Sequence, residues 1–190
     1  DRAVDFALDV FEKISKIHGK PAIPHRIEHG GIVTDEASRK AIGLDVHIVP
    51  QPGFFPSLGK QMRESIGDRS EISHRVAGPL SFGAELAGSS DRPVAEGSPL
   101  SILQSFVERL DENGAVYGPN ERVDIETALK IYTKGSATVT GKGNLLGTLE
   151  RGKLADFVVL DEDPTKVETQ GISEIKVQTT IVGGAVSYER

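Results

Sequence analysis

The chain has 190 residues, 37% hydrophobic and 26% charged, with 28 acidic against 22 basic side chains and a net charge of −6. That length allows one or two globular domains, and the negative balance argues against nucleic acid or an anionic membrane as the main partner. Cysteine is absent, which removes disulfides, thiolate metal sites and thiol nucleophiles together; any metal site has to use carboxylates and the five histidines, His18, His25, His29, His47 and His74.

Residues 1–18 carry Ala3, Phe6, Ala7, Val10, Phe11, Ile14 and Ile17 at three- and four-residue spacings, which predicts an amphipathic helix capped by Asp1 and stopped by Gly19 and Pro21. Ile23 to His29 reads as a short strand ending at Gly30-Gly31. Thr34-Asp35-Glu36 opens a second helix whose acidic first turn suits the helix dipole, and Gly43 is expected to close it. Leu44 to Val49 reads as a second strand, stopped by Pro50 and Pro52. Residues 53–70 read as irregular, punctuated by Gly53, Pro56, Gly59 and Gly67. A short helix is expected between Glu71 and Leu80, then a third strand at Ala84 to Gly88 with Ser89-Ser90-Asp91-Arg92-Pro93 at its end. Ser98-Pro99 is an N-cap followed by proline at the first helical position, opening a helix with Ile102, Leu103, Phe106, Val107 and Leu110 on one face. Asp124 caps another, with Ile125, Ala128, Leu129 and Tyr132 inward. From about residue 147 the period becomes strand-like: Leu154–Asp161, Ile175–Val182 and Ala185–Tyr188, the last two joined by Gly183-Gly184 as a two-residue hairpin turn.

Strands alternating with helices imply parallel β/α units. A closed eight-unit barrel takes about 250 residues, so the expected fold is α/β: about three units of a TIM-like (β/α)8 barrel in residues 1–140, then a separate small sheet in residues 141–190. No apolar run is long enough to span a bilayer and no basic, apolar leader opens the chain; the cytoplasm is the expected location. Residue 1 is not Met and already lies inside a periodic pattern, so a fragment, a processed product or part of something longer is expected.

In β/α folds functional groups collect at the C-terminal ends of strands. Three ends are visible: Glu28-His29, Val49-Pro50-Gln51 and Ser90-Asp91. A histidine and an aspartate at neighbouring strand ends can share a divalent metal or flank one water, the imidazole offering a nitrogen ligand and the carboxylate a hard oxygen or a general base. Each also has an ordinary reading. A strand-end histidine is commonly structural, and an aspartate in Gly-Ser-Ser-Asp-Arg-Pro is commonly a turn former or helix cap. His25 and His29 share a strand face, but four strand residues span about 13 Å, too far for one metal; His29 is the preferred ligand and His25 the lesser candidate. His18 reads as a cation at a helix C-terminus, His47 as a packed strand residue and His74 as a surface residue. Gly141-Lys142-Gly143-Asn144 lacks the spacing of a phosphate-binding loop.

The runs His25-Arg26-Ile27-Glu28-His29-Gly30, Gln51-Pro52 and Gly88 to Val94 occur in the order seen in the amidohydrolase superfamily, most like the amidohydrolase family 3 branch with D-aminoacylase-like and N-substituted formamide deformylase-like enzymes. Ala128 to Thr133 resembles that branch's late helix. Gly147 to Asp161 resembles the strand that enters its composite β-sandwich after the barrel. The resemblance covers nearly the whole chain but only the C-terminal third or so of a typical member. It implies that His29 corresponds to the histidine ending barrel strand 6, a metal ligand or carbonyl-polarising group. Asp91 corresponds to the strand 8 aspartate that binds metal and takes a proton from the attacking water, and residues 141–190 to strands of the sandwich. The implied activity is metal-dependent hydrolysis of a non-peptide carbon–nitrogen bond in a small amide-type substrate, with a divalent metal, zinc by expectation, in the complete enzyme. The family's His-x-His and its bridging middle-strand ligand are absent here, and a second serine precedes the aspartate; the chain alone is expected to be inactive. The alternative reading is a non-catalytic half-barrel that self-associates or binds a partner, and a homo-oligomer is expected.

Overall fold

The computed structural model describes residues 1–190. Helices form where the capping chemistry asks for them. Helix α1 (Arg2–His18) starts at Asp1, whose carboxylate accepts the Arg2 N–H. Helix α2 (Asp35–Leu44) starts at Thr34, whose hydroxyl accepts the Ala37 N–H at 3.1 Å. It ends at Asp45 in the left-handed conformation (φ 58°) rather than at Gly43. Strands β1 (Arg26–Glu28) and β2 (His47–Val49) are shorter than the sequence pattern suggested, pair in parallel, and place Ile27 opposite Ile48. The third parallel segment is a single bridge, Leu86 beside Ile48. The level row Ile27, Ile48 and Leu86 packs into one core with Val4 and Leu8 of α1 and Ala37 and Ala41 of α2. Ile102, Leu103 and Phe106 of α5 (Pro99–Glu108) join the same core. Complete burial of a side chain such as Phe106 is worth roughly 1.5–3 kcal/mol relative to exposure.

Residues 53–70 are not irregular. A 3-10 turn at Pro52–Phe54 leads into helix α3 (Phe55–Ile66), and a further 3-10 stretch covers Gly67–Ile72. Pro56 lies in the first turn of α3, where a missing N–H costs nothing, so it starts the helix instead of breaking it. Gly59 is there for space: a Cβ would lie 2.7 Å from the Asp111 Cβ. Helix α4 (Ala77–Ser81) is brief, leaving Ser73 to Val76 in extended or irregular backbone.

Asp124 caps α6 (Ile125–Lys130), accepting the Thr127 N–H at 2.7 Å. The helix continues through a wide π turn (Ile131–Gly135) into α7 (Ser136–Val139). That turn rests directly on the third parallel segment. The Ser136 hydroxyl donates to the Gly88 carbonyl at 3.0 Å, and a Cβ on Gly135 would lie 2.0 Å from the Leu86 carbonyl oxygen.

The remaining strands, β3 (Phe157–Leu160), β4 (Val177–Val182) and β5 (Ala185–Glu189), form one antiparallel sheet in sequence order. Gly183 and Gly184 both take positive φ, as a primed hairpin turn requires. Between β3 and β4, Ile172 and Ile175 enter the main core, and the Ser173 N–H donates to Gln104 of α5 at 2.9 Å. The architecture is mixed α/β, and no helix is long and apolar enough to cross a membrane.

Gly135→Ala forces backbone apart and is expected to destabilise by about 1–3 kcal/mol. Gly43→Ala, in an open helical position with nothing within 4 Å of the new carbon, is expected to stabilise by about 0.5–1 kcal/mol. Urea denaturation of the two variants, with midpoints moving in opposite directions, checks the docking of the π turn.

Candidate active site

The row Ile27, Ile48, Leu86 fixes where the three loops leave the parallel strands, and all leave from the same end. His29 and Asp91 both sit on those loops. They are not immediate neighbours, because β2 lies between their strands; two strand spacings are on the order of 10 Å. Both residues have left-handed backbone, φ 66° at His29 and 53° at Asp91. A non-glycine residue there is uncommon, and such strain collects at functional sites.

His29 is exposed, and its ring stacks on Phe54 with centroids 5.8 Å apart. Asp91 is half-buried and opens a turn closed by the Val94 N–H on the Asp91 carbonyl at 2.8 Å. The two serines before it hold that turn. Ser89 Oγ accepts the Asp91 N–H at 3.2 Å and Ser90 Oγ the Arg92 N–H at 3.3 Å. The second serine therefore has its own backbone donor to satisfy.

His25 stands elsewhere. Its ring stacks on Phe11 of α1 at 4.5 Å, on the helix-covered side, as a packing residue. His18 lies in the last turn of α1. His47 is buried, with Nδ1 3.1 Å from the Glu85 carbonyl oxygen.

His74 is the correction. It is not a surface residue: it is 3% exposed, and its Nδ1 accepts the Gln51 N–H at 3.2 Å. Its backbone N–H donates to the Gly31 carbonyl at 2.8 Å. It thereby joins the loop after β1 to the loop after β2. The Phe54 ring lies between the two histidines, 5.6 Å edge-on from His74. Beneath His74 is Arg109, wholly buried, donating to the carbonyls of Tyr117 (2.6 Å), Ser73 (2.9 Å) and His74 (3.1 Å). Burial first, then the charge of Arg109 and of His29, hold the His74 imidazole down at about 3, with the His29 backbone working in the opposite sense. One signal was present in the sequence: the Ser73-His74-Arg75 run is flanked by Ile72 and Val76.

An imidazole and a carboxylate at one end of a parallel sheet supply a nitrogen and an oxygen ligand for a divalent metal, or a polariser and a base. The chain assembles no group of three or more such side chains, fewer than the three protein ligands of a typical catalytic zinc site.

A family model described as the amidohydrolase family matches residues 1–188. The chain is 30% identical over 190 residues to an N-substituted formamide deformylase of Arthrobacter pascens, covering 99% of this chain and 35% of that protein. Among solved structures, a metal-dependent hydrolase from Pyrococcus horikoshii superposes with a TM-score of 0.76 at 32% identity over 90% of this chain and 34% of the other. One from Pyrococcus furiosus gives 0.70 at 36% identity over 87% and 32%. The chain thus spans about a third of the length of these relatives.

The buried His74 makes stability depend on pH. Unfolded, the imidazole takes its proton near 6.5, and folded only near 3. Between those values the unfolded chain binds one more proton, so the contribution is full above about 6.5 and is lost as pH falls toward 3, by about 1.4 kcal/mol per pH unit. His74→Asn is expected to reduce the slope of unfolding free energy between pH 4 and 6 by about that amount, measured by urea titration in a chelating buffer.

Proposed function

The chain belongs to the amidohydrolase family, and from that premise we propose that it supplies part of the active site of a metal-dependent hydrolase. The bond cleaved is a non-peptide carbon–nitrogen bond of a small amide-type substrate. In this reading residues 1–140 are the last three or so β/α units of a TIM-like barrel, and residues 141–190 are strands of a composite β-sandwich. The observation that carries it is the placement of His29 and Asp91, both in left-handed backbone, on loops leaving the same end of one parallel sheet.

The donor chemistry, one imidazole nitrogen and one carboxylate oxygen without thiolate, fits zinc or a similar divalent ion. His29 and Asp91 would hold it, with the remaining ligands from polypeptide outside these residues, so the chain by itself is inactive. When bound, such a metal lowers the pKa of water toward about 7 and polarises a carbonyl.

Asp91 accepts a proton from the water that attacks the substrate carbonyl. It is suited to this because its turn is satisfied by the serine hydroxyls and its own backbone, which leaves the carboxylate for chemistry. The same carboxyl group then returns the proton to the departing amine. His29, exposed and steadied against Phe54, orients the substrate carbonyl when it does not itself serve as the nitrogen ligand.

A second reading is favoured by one observation: the antiparallel sheet leaves Val158, Val182 and Val186 at least half exposed, with Leu149 at 74%. In that reading the chain is a non-catalytic half-barrel that pairs with another copy through this sheet. Sedimentation equilibrium of the chain separates the two: a tight dimer supports pairing, a monomer at tens of micromolar removes it.

In the protein that carries this segment, Asp91→Asn is expected to cut turnover of N-formyl and N-acyl amines by at least about a hundredfold, with fold and metal content unchanged. Turnover near the unmodified rate would remove Asp91 from the mechanism.

A further inference from the structure

We propose that His74 is a positioning residue for His29: by tying the loop after β1 to the loop after β2, it keeps the His29 imidazole stacked on Phe54 at the open end of the parallel strands. Its consequence for catalysis rests on the role given to His29 above; the positioning itself does not.

Three contacts carry the inference. The His74 backbone N–H donates to the Gly31 carbonyl, two residues past His29. The His74 Nδ1 accepts the Gln51 N–H, which fixes the chain just before the Phe54 turn. The Phe54 ring, on which His29 stacks, then lies edge-on to His74 and is buried. Backbone and ring of one residue therefore hold both the histidine and the surface it rests on.

His74 does not do this by accident of packing. Its own backbone is left-handed, φ 43°, a conformation that costs on the order of 1–3 kcal/mol and persists only where the surroundings impose it. Here the imposing group is Arg109, whose guanidinium takes the carbonyls of Ser73 and His74 together and lies over the Phe55 ring with its carbon 4.8 Å from the centroid. With 3% of its surface exposed, His74 is closed off from substrate, so its influence passes through His29 and Phe54.

The test is nuclear magnetic resonance on the 190-residue chain with labelled histidine and phenylalanine rings, reading the nuclear Overhauser contact between the His29 and Phe54 rings. His29→Gln assigns the signal by removing it, and the His47 ring serves as an internal reference. The expected result is loss of the His29–Phe54 contact in His74→Ala while the His47 signals stay in place. His74→Asn is expected to retain the contact, because the amide oxygen accepts the Gln51 N–H and asparagine tolerates left-handed backbone. A folded His74→Ala that keeps the contact overturns the proposal. If His74→Ala does not fold, His74→Phe decides, since it fills the space without accepting the Gln51 N–H: a folded variant that keeps the contact overturns the proposal, and one that loses it supports the proposal.

In the protein that carries this segment, His74→Ala is expected to lower kcat at least tenfold with little change in KM, and His74→Asn to recover part of it. Loss of the ring contact with unchanged kcat would leave the positioning role standing and overturn the catalytic role of His29.

Discussion

A positive charge sealed in the interior organises the candidate site. Arg109 is wholly buried, and burying an unpaired guanidinium would be prohibitive. It is tolerated because three backbone carbonyls converge on it, those of Ser73, His74 and Tyr117. Those carbonyls need it in return. Ser73 and His74 lie outside the helices and strands, joined to the chain at Ile32 by a single bridge, so no ladder satisfies their carbonyls, and a buried carbonyl left alone is costly too. Burial lowers the guanidinium to about 10, with Glu121 the largest opposing influence, so it remains charged at neutral pH. Arg75, directly after His74, repeats the device. Arg75 pairs with Glu121 at 2.7 Å and Asp35 at 2.6 Å and donates to the Val33 carbonyl, while Glu121 also accepts the N–H groups of Val76 and Gly78. Two arginines thus order a segment that carries too few apolar side chains to order itself.

The two halves of the candidate site are held by different physics. On the His29 side the support is ionic and aromatic: a guanidinium, a buried imidazole and the rings of Phe54 and Phe55. On the Asp91 side it is neutral and short-range: the Ser89 and Ser90 hydroxyls, and Ser136 reaching Gly88 from a helix seated at van der Waals distance. Three of the five non-glycine residues with positive φ, His29, His74 and Asp91, belong to these two supports; the other two, Asp45 and Arg109, end helices. Away from helix ends, left-handed non-glycine backbone is therefore confined to the loops that leave the strands and to the His74 segment beneath them.

Much of this was legible in the residues. Caps at Asp1, Thr34, Ser98 and Asp124 mark true helix starts because a side-chain oxygen accepting an early N–H is a local event, and the glycine pair at 183–184 marks the hairpin for an equally local reason. Strand extents were overread, because three residues of ladder suffice when the flanking segments are tied by loops and side chains. Helix α3 was missed through treating Pro56 and Gly59 as breakers. The four-residue spacing of Leu58, Met62 and Ile66 was the better guide, and Gly59 answers to Asp111, a partner 52 positions away. His74 was misread for the same kind of reason. Histidine flanked by serine and arginine looks solvated, and only the long-range return of Arg109, Gln51 and Gly31 turns that polar run into a buried support. Local chemistry is readable along a chain; satisfaction of a polar group by distant partners is not.

This division bears on what the chain contributes to chemistry. Everything needed to set His29 and Asp91 in place comes from within it: the Arg109 network on one side and the π turn on the other. The ligands needed to complete a metal site do not, since no three histidine or carboxylate side chains converge. Scaffold and reactivity are thus separable. In the proposed function, weakening the support would change the aim of His29 without altering the number of available ligands, whereas changing Asp91 would remove the proposed base and leave the support intact. The turn at Asp91 is held by neighbouring hydroxyls and backbone rather than by its own carboxylate, so the group proposed to carry the proton is spared the work of holding the fold.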